Sequence, residues 1–436
     1  MSAIADIEIP VDQLLAPQAP RTLEETGLSA DAVSSLLMKS LYGGEASGAD
    51  LSCGLGLPYA ILEPLIERAR VEQLVEVKRG LGTGTAGYRY ALTDGGRDRA
   101  RRYLDACGYV GAAPVPLDQY TVFMAATSSH QPHITEERVA AGFSHLIVQP
   151  EMFAQLGPAI SARRALFLYG PPGNGKSVMG EGIGRVLGGD VYVPHAIDVD
   201  GQIITMFDPV THQGREREDD DSLIRSEEAI DARWLRIRRP VITVGGELTL
   251  DMLDLRFNQL SGYYEAPLQL KANAGVLVID DFGRQRVEAR ELLNRWVVPL
   301  ESRVDYLSLH TGRKFQVPFD VMIVFSTNLE PRSLADEAFL RRIPYKILAK
   351  NPTRAQYSSI FEMNCRRHGV DFDPRHVDYL HDRYYAARGL PMRACHPRDL
   401  IDQIVTLCRY RRSPLAITAD LLDTVCESYF LNDAQG

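Results

Sequence analysis

Eight consecutive residues, Gly170-Pro171-Pro172-Gly173-Asn174-Gly175-Lys176-Ser177, carry the clearest chemical instruction in this sequence. A glycine-rich turn between a strand and a helix lets successive backbone N–H groups face one centre, and the helix N-terminus adds the positive end of its dipole. Such a turn binds phosphate. In this spacing Lys176 reaches the outer phosphates of a nucleotide and Ser177 offers its hydroxyl to Mg2+, with Val178 counted among the cofactor-binding residues as the next position of the first helical turn.

A phosphate loop also needs a carboxylate delivered to its metal side by a second strand. Val276-Leu277-Val278-Ile279 is an apolar strand ending in Asp280-Asp281, so Asp280 is the expected metal-side acid. Asp281 has two readings: a group that polarises the attacking water, or a helix cap ahead of Phe282-Gly283. A later apolar strand, Val321 to Phe325, ends in Ser326-Thr327-Asn328.

Together the loop, the acid pair and Asn328 resemble the AAA+ ATPases, over about residues 143 to 436. The resemblance implies ATP and Mg2+ as cofactors, with Asp280 on the metal, Asp281 activating water and Asn328 as a polar sensor. The stretch Ala335-Asp336-Glu337-Ala338-Phe339-Leu340-Arg341-Arg342 resembles the one that presents arginine fingers to the neighbouring subunit's nucleotide. A solvated basic helix end is the other reading of Arg341 and Arg342. Arg398, in His396-Pro397-Arg398-Asp399-Leu400, resembles the second sensor arginine, with a surface helix residue as the alternative. The family's usual second acid is Glu. Asp281 is a carbon shorter, which would alter the geometry of hydrolysis or slow it. The resemblance further implies a homo-oligomer, a hexameric ring, remodelling a protein or nucleoprotein client. A DNA-directed motor and an ATP-gated platform with slow turnover stand as alternatives.

Two features narrow the branch. Tyr306 to Val317 alternates about a Thr311-Gly312 turn and reads as a β-hairpin ahead of the sensor strand, and Arg233 to Ala272 reads as an insertion before the acid strand. Both resemble the MoxR-like and related branches. Met206-Phe207 is either a pore aromatic or an ordinary packed side chain, and Arg215 to Asp221 reads as a solvated charged loop.

These groups need a scaffold. Ala165 to Tyr169 is the strand that feeds the loop, Ser177 to Leu187 the helix that leaves it, and Val191 to Ile197 the next expected strand. Strands alternating with helices predict an α/β fold with a parallel sheet. Beyond Asn351 the periodicity is helical, over Thr353 to Arg367, Arg375 to Ala387, Pro397 to Tyr410 and Ala419 to Phe430, and predicts a helical lid. Upstream, Ser29 is placed to cap a helix over Ala30 to Tyr42. Two further helices, strands at Leu74 to Val77 and Tyr88 to Leu92, and a final helix over Asp94 to Ala106 resemble a small α+β winged helix. The expected organisation is a flexible arm (1–20), a winged-helix-like domain (21–110), a linker (111–149), a P-loop AAA+ domain (150–350) and the lid (351–436).

A formal charge of -9 excludes a chain that binds polyanions through its overall field, so a nucleic-acid partner would have to be met by residues 21–110 alone. There Arg97, Arg99, Arg101, Arg102 and Lys78-Arg79 favour phosphate contact, whereas Glu63, Pro64 and Glu67 on the candidate recognition helix favour protein docking. The six cysteines form no C-x-x-C pair and read as buried thiols in a reducing compartment. The start of the sequence lacks a signal-peptide pattern and no apolar run is long enough to span a bilayer. The expectation is a cytoplasmic protein without membrane insertion.

Overall fold

The computed structural model describes residues 14–80, 85–130, 133–215 and 230–430. The chain divides into two compact units that do not follow sequence order: Met1–His133, Leu187–Leu277 and Glu291–Met322 in one, and Ile134–Val186, Val278–Arg290 and Ile323–Gly436 in the other.

The first unit begins with the element order the periodicity predicts. Ser29 accepts from the Ala32 N–H and starts the helix Ala30–Tyr42, followed by helices Gly48–Leu55 and Tyr59–Val71. Strands Val75–Gly80 and Tyr88–Leu92 pair antiparallel, Ala46–Ser47 adds a short third strand to Tyr88–Leu92, and the helix Asp94–Ala106 follows. Val33, Leu37, Leu55, Leu62, Ile66 and Tyr90 are buried together at the centre. Pro64 lies inside its helix, whose other side chains Ile61, Leu62, Leu65 and Ile66 still bury one face. Gly96 fixes how closely the last helix approaches the sheet, because a Cβ there would lie 2.0 Å from the Leu74 carbonyl oxygen. A Gly96→Ala chain should lose about 1–3 kcal/mol in opening this core, read as faster amide exchange along Ala30–Tyr42. Unaltered exchange would rule out the tight approach.

Two expectations for the N-terminal third are corrected. Residues 17–20 of the expected arm are packed: Gln18 bridges Ile230 and the Pro17 carbonyl accepts from Asp231 N–H at 2.9 Å, while residues 1–13 lie outside the described residues. The stretch read as a turn-rich linker carries helices Leu117–Ser129 and Glu136–Gly142. Pro116 sits at the N-cap of the first, so that proline marks a helix start rather than a break. Tyr120 and Met124 are buried among Val191, Val193, Ile197, Trp234 and Val317.

The expected strand Val191 to Ile197 splits at His195. Asp190–Pro194 pairs antiparallel with Trp234–Arg238, and Ala196–Val199 pairs with Gln202–Thr205 and with Val115–Pro116. Neither half joins the central sheet. That sheet has five strands in the order Val241–Val244, Val276–Ile279, Met322–Thr327, Leu166–Tyr169, Tyr345–Leu348. Loop strand Leu166–Tyr169 runs parallel to Met322–Thr327, the strand that leads to Asn328, and to Tyr345–Leu348. The fold is therefore α/β with a parallel sheet, and the next strand of that sheet in chain order after the loop is Val241–Val244. The hairpin expected ahead of the strand Met322–Thr327 is present as Val304–Ser308 paired with Lys314–Pro318.

The C-terminal stretch is helical as expected, and among the described residues no strand follows Tyr345–Leu348. Thr353 and Gln356 form a capping box on Arg354–His368. Helices Pro374–Leu380, His396–Arg411 and Ala419–Tyr429 follow and bury Tyr357, Phe361, Leu380, Leu400, Ile404 and Leu422 in one cluster. Cys365, Cys408 and Cys426 are buried free thiols, but Cys53 is exposed, correcting the expectation that all six are buried. Among the described residues no helix is long and apolar enough to cross a membrane.

Candidate functional site

The loop strand ends at Tyr169, and Gly170 at once takes a backbone angle of +130°. A Cβ at Gly170 would lie 2.6 Å from the Ala349 carbonyl oxygen, so the close pass of the two backbones requires glycine. Gly173, at +81°, is equally confined: a Cβ there would lie 2.6 Å from Cys395 Sγ. Helix Lys176–Leu187 begins inside the loop, aiming its first N–H groups at the loop's centre. Asn174 is buried and ties the turn down, donating from Nδ2 to Asn351 Oδ1 at 2.8 Å and to the Ala349 carbonyl at 3.3 Å. Pro172 is exposed, and Val178 is half-buried on the first turn of the helix.

Lys176 folds over this turn. Its Nζ donates to the carbonyls of Gly170 (3.0 Å) and Pro171 (2.9 Å) and to Asn328 Oδ1 (2.6 Å). Burial lowers the Lys176 pKa from its usual value, and the Asp280 and Asp281 carboxylates push it back up. A buried ammonium whose hydrogen-bond partners are mostly uncharged oxygens is a site prepared for anionic charge.

The acid strand Val276–Ile279 is fully buried and delivers Asp280 at its end. Asp280 Oδ2 accepts from Ser177 Oγ at 2.6 Å, and Oδ1 accepts from Ser326 Oγ at 2.7 Å and from the Asp281 N–H at 3.0 Å. Asp281 is in the left-handed region (+48°), which Asp tolerates better than most residues, and its Oδ1 accepts from Asn328 Nδ2 at 3.2 Å. Gln285 Nε2 donates to the carbonyls of Asp280 and Asp281, at 3.0 and 3.3 Å, and steadies the turn after them. Asn328 thus bridges Lys176 and Asp281.

This donor set fits one Mg2+ ion. Ser177 and Asp280 offer a hydroxyl and a carboxylate in contact, and among the described residues no group of three His, Cys, Asp or Glu side chains could form a metal cage by itself. Mg2+ is a hard ion that keeps waters and commonly takes its remaining oxygens from substrate phosphate.

The arginines stand apart from this hydrogen-bonded set. Arg341 is exposed, at the C-cap of the short helix Glu337–Leu340, with no side-chain hydrogen bond or ion pair among the described residues. Arg342 donates from Nη1 to the Ala338 carbonyl at 2.9 Å. Arg398, in the first turn of His396–Arg411, is engaged with Asp399 Oδ1 through Nε (3.0 Å) and Nη2 (2.8 Å).

Sequence reasoning missed Ser326 as a partner of Asp280 and the segment Arg393-Ala394-Cys395 as a neighbour of the loop. The signal for Ser326 was present, a hydroxyl at the end of a wholly apolar run whose every position is buried. For the lid segment there was none, because the approach is made by backbone: Cys395 N–H donates to the Gly173 carbonyl at 2.8 Å and Ala394 N–H to Asn174 Oδ1 at 3.2 Å. Phe207, offered as a pore aromatic, stacks on His212 with ring centres 5.7 Å apart and packs against the cluster around Trp234. The expected charged loop at Arg215 to Asp221 lies, beyond Arg215, outside the described residues.

A family model described as a domain of unknown function, DUF8689, matches residues 353–428. No curated protein matches the sequence. Among solved structures, NtrX from Brucella abortus is 15% identical, with 70% of this chain and 61% of that chain covered, at a TM-score of 0.39. The same protein in complex with ATP is 14% identical over 65% of this chain and 56% of that one, at 0.39. The Thermotoga maritima RuvB Holliday junction branch migration motor is 14% identical over 73% and 74%, at 0.36. The chain therefore spans less than two thirds of each of these two NtrX chains. At these scores the functional reading rests on the geometry of the loop, the acid pair and Asn328.

Proposed function

We propose that the chain is an AAA+ ATPase that binds Mg-ATP on the Gly170–Ser177 loop and hydrolyses it. The observation that carries this reading is one hydrogen-bonded set, Lys176 to Asn328 to Asp281 and Ser177 to Asp280, at the ends of three neighbouring strands. The loop N–H groups and Lys176 would hold the polyphosphate, and Ser177 with Asp280 would hold Mg2+. Bound there, Mg2+ supplies positive charge against the phosphate oxygens. Asp281 takes the proton of the attacking water, and Asn328 orients its carboxylate.

Arg341 supports an assembly in which the site is completed by a neighbour. It is an exposed guanidinium without an ion pair among the described residues, suited with Arg342 to meet phosphate on another subunit. The proposed assembly is a homo-oligomeric, hexameric ring in the cytoplasm, acting on a protein or nucleoprotein client. Residues 21–110 are read as a winged-helix-like docking module, residues 150–350 as the nucleotide-binding domain and 351–436 as its lid. Protein docking is favoured over DNA binding by the charges on helix Tyr59–Val71, where Arg68 pairs with Glu72 and Arg70 with Glu67, and by Arg99, which also meets Glu72. Cations already paired with acids gain less from phosphate.

Purified wild-type protein should hydrolyse ATP above a Lys176→Ala control, and mixtures of Arg341→Ala with Lys176→Ala subunits should recover activity that neither shows alone. Absence of turnover in the wild type sinks the enzyme reading. Absence of recovery at every ratio sinks the shared site. A second reading, an ATP-gated platform with slow turnover, is favoured by Asp281, a short acid whose carboxylate is tied to Asn328. ATP-dependent ring formation with little hydrolysis would distinguish it.

A further inference from the structure

Helix His396–Arg411 ends in a basic tip open to solvent. Every residue from Arg409 to Ala416 is exposed, and Tyr410 is 85% accessible. Among the described residues the Tyr410 ring and hydroxyl have no partner, and the guanidiniums of Arg409, Arg411 and Arg412 make no hydrogen bond or ion pair. From Gln403 to Ala419 the sequence holds these three arginines and no Asp or Glu, in a chain whose formal charge is -9. Consecutive helix positions stand about 100° apart, so Arg409 and Arg411 flank the ring on its two sides.

Cations in a last helical turn offset the helix dipole, and that accounts for Arg409 and Arg411 as charges. It accounts neither for an aromatic ring left in water nor for Arg412. Arg412 takes the left-handed C-cap, at +52°, with its own N–H on the Arg409 carbonyl at 3.2 Å and the Ser413 N–H on the Cys408 carbonyl at 3.0 Å. Glycine fills that position without strain. A long cation held there costs stability, and strain of this kind clusters where the side chain is used.

We propose that the tip Arg409 to Arg412 binds single-stranded nucleic acid, DNA or RNA, with Tyr410 stacked on an unpaired base and the three guanidiniums on the flanking phosphates. Every base has a π-face, so this contact requires no particular sequence. A duplex keeps its bases stacked on one another and offers the ring nothing. An acidic peptide would meet the charges and leave the ring unused. The negative charge of the whole chain opposes polyanion binding through its overall field, but a local tip of unpaired cations escapes that limit. Nucleic-acid contact thereby moves from residues 21–110, where Arg68, Arg70 and Arg99 are paired with acids, to the C-terminal helices. It does not depend on nucleotide binding at the Gly170–Ser177 loop.

The test is fluorescence anisotropy of labelled oligo-dT and oligo-U strands titrated with the full chain, without nucleotide and at several salt concentrations. The wild type should bind a single strand more tightly than a duplex of the same length, and the stronger of the two strands names the source. Tyr410→Ala should weaken binding by about 10-fold, and Tyr410→Phe, which keeps the ring, should stay within about 2-fold of the wild type. Arg409→Gln and Arg411→Gln should each reduce the slope of log affinity against log salt by about 0.7. Arg412→Gly should do the same without lowering the thermal midpoint, because glycine relieves the strained cap; a purely structural role for Arg412 would leave binding unchanged. No binding by the wild type, or binding that Tyr410→Ala and Arg412→Gly leave intact, overturns the proposal. Duplex bound as tightly as single strand overturns it as well, and so does a poly-glutamate peptide that binds the tip when neither strand does, which would make the partner an acidic protein.

Discussion

Replacing Asp280 with alanine should lower Mg-dependent ATP turnover on the order of 100-fold or more. One carboxylate there receives three donors, Ser177 Oγ, Ser326 Oγ and the Asp281 N–H. Its removal deletes the acid that, among the described residues, contacts the loop serine, and also frees the turn that carries Asp281. Asp281→Asn is the informative contrast. It keeps the shape of the turn and the neighbourhood of Asn328, so nucleotide affinity should be held while turnover falls, again on the order of 100-fold. Steady-state hydrolysis and equilibrium binding, measured on both variants, separate the roles. If Asp281→Asn hydrolyses ATP at the wild-type rate, water activation belongs to another group. If Asp280→Ala does so, Ser177 holds its ion without a protein carboxylate, and the metal-side assignment is wrong.

The parts of this site legible in the sequence are those where a local rule fixes the residue. A strand running into glycines and then Lys-Ser specifies its own backbone path, and an apolar strand ending in two acids specifies which side chains emerge at its end. Helix starts were legible for the same reason: Ser29 and Thr353 cap the helices their spacing announces. Pairing partners were not. Val191 to Val193 and Val241 to Val244 are both short apolar runs, and nothing local says that the first pairs with Trp234–Arg238 while the second joins the five-stranded sheet. The clusters of prolines upstream misled because proline both ends one element and begins the next. Arg398 was legible as a motif, yet the acid it pairs with, Asp399, is held by the Tyr429 hydroxyl from a helix some thirty residues further along the chain. Arg393 was invisible because its place is set by the backbone bonds of its neighbours.

The most consequential interaction outside the nucleotide site was equally invisible. Asp231 and Arg233 are two residues apart and are almost wholly buried, with side-chain exposure of 3% each. Arg233 grips the carboxylate through Nε (3.0 and 3.1 Å) and Nη2 (2.8 Å), and spends its other donors on the Thr26 carbonyl at 3.0 Å and Gln119 Oε1 at 3.3 Å. The pair therefore joins three separate stretches of the first unit: the segment before helix Ala30–Tyr42, helix Leu117–Ser129, and the start of strand Trp234–Arg238. Asp231→Ala leaves a guanidinium buried without its counter-charge and should destabilise this unit by about 3–5 kcal/mol. Replacing both residues with apolar side chains of similar volume should cost much less, because no charge is then left unpaired. Denaturant unfolding monitored by fluorescence suits the comparison, since Trp234 packs against Phe123 with ring centres 4.5 Å apart inside the same cluster. A single variant within about 1 kcal/mol of the wild type would mean that water reaches Arg233 once the acid is gone. A double variant as unstable as the single one would mean that the bonds to Thr26 and Gln119, rather than the ion pair, hold the three stretches together.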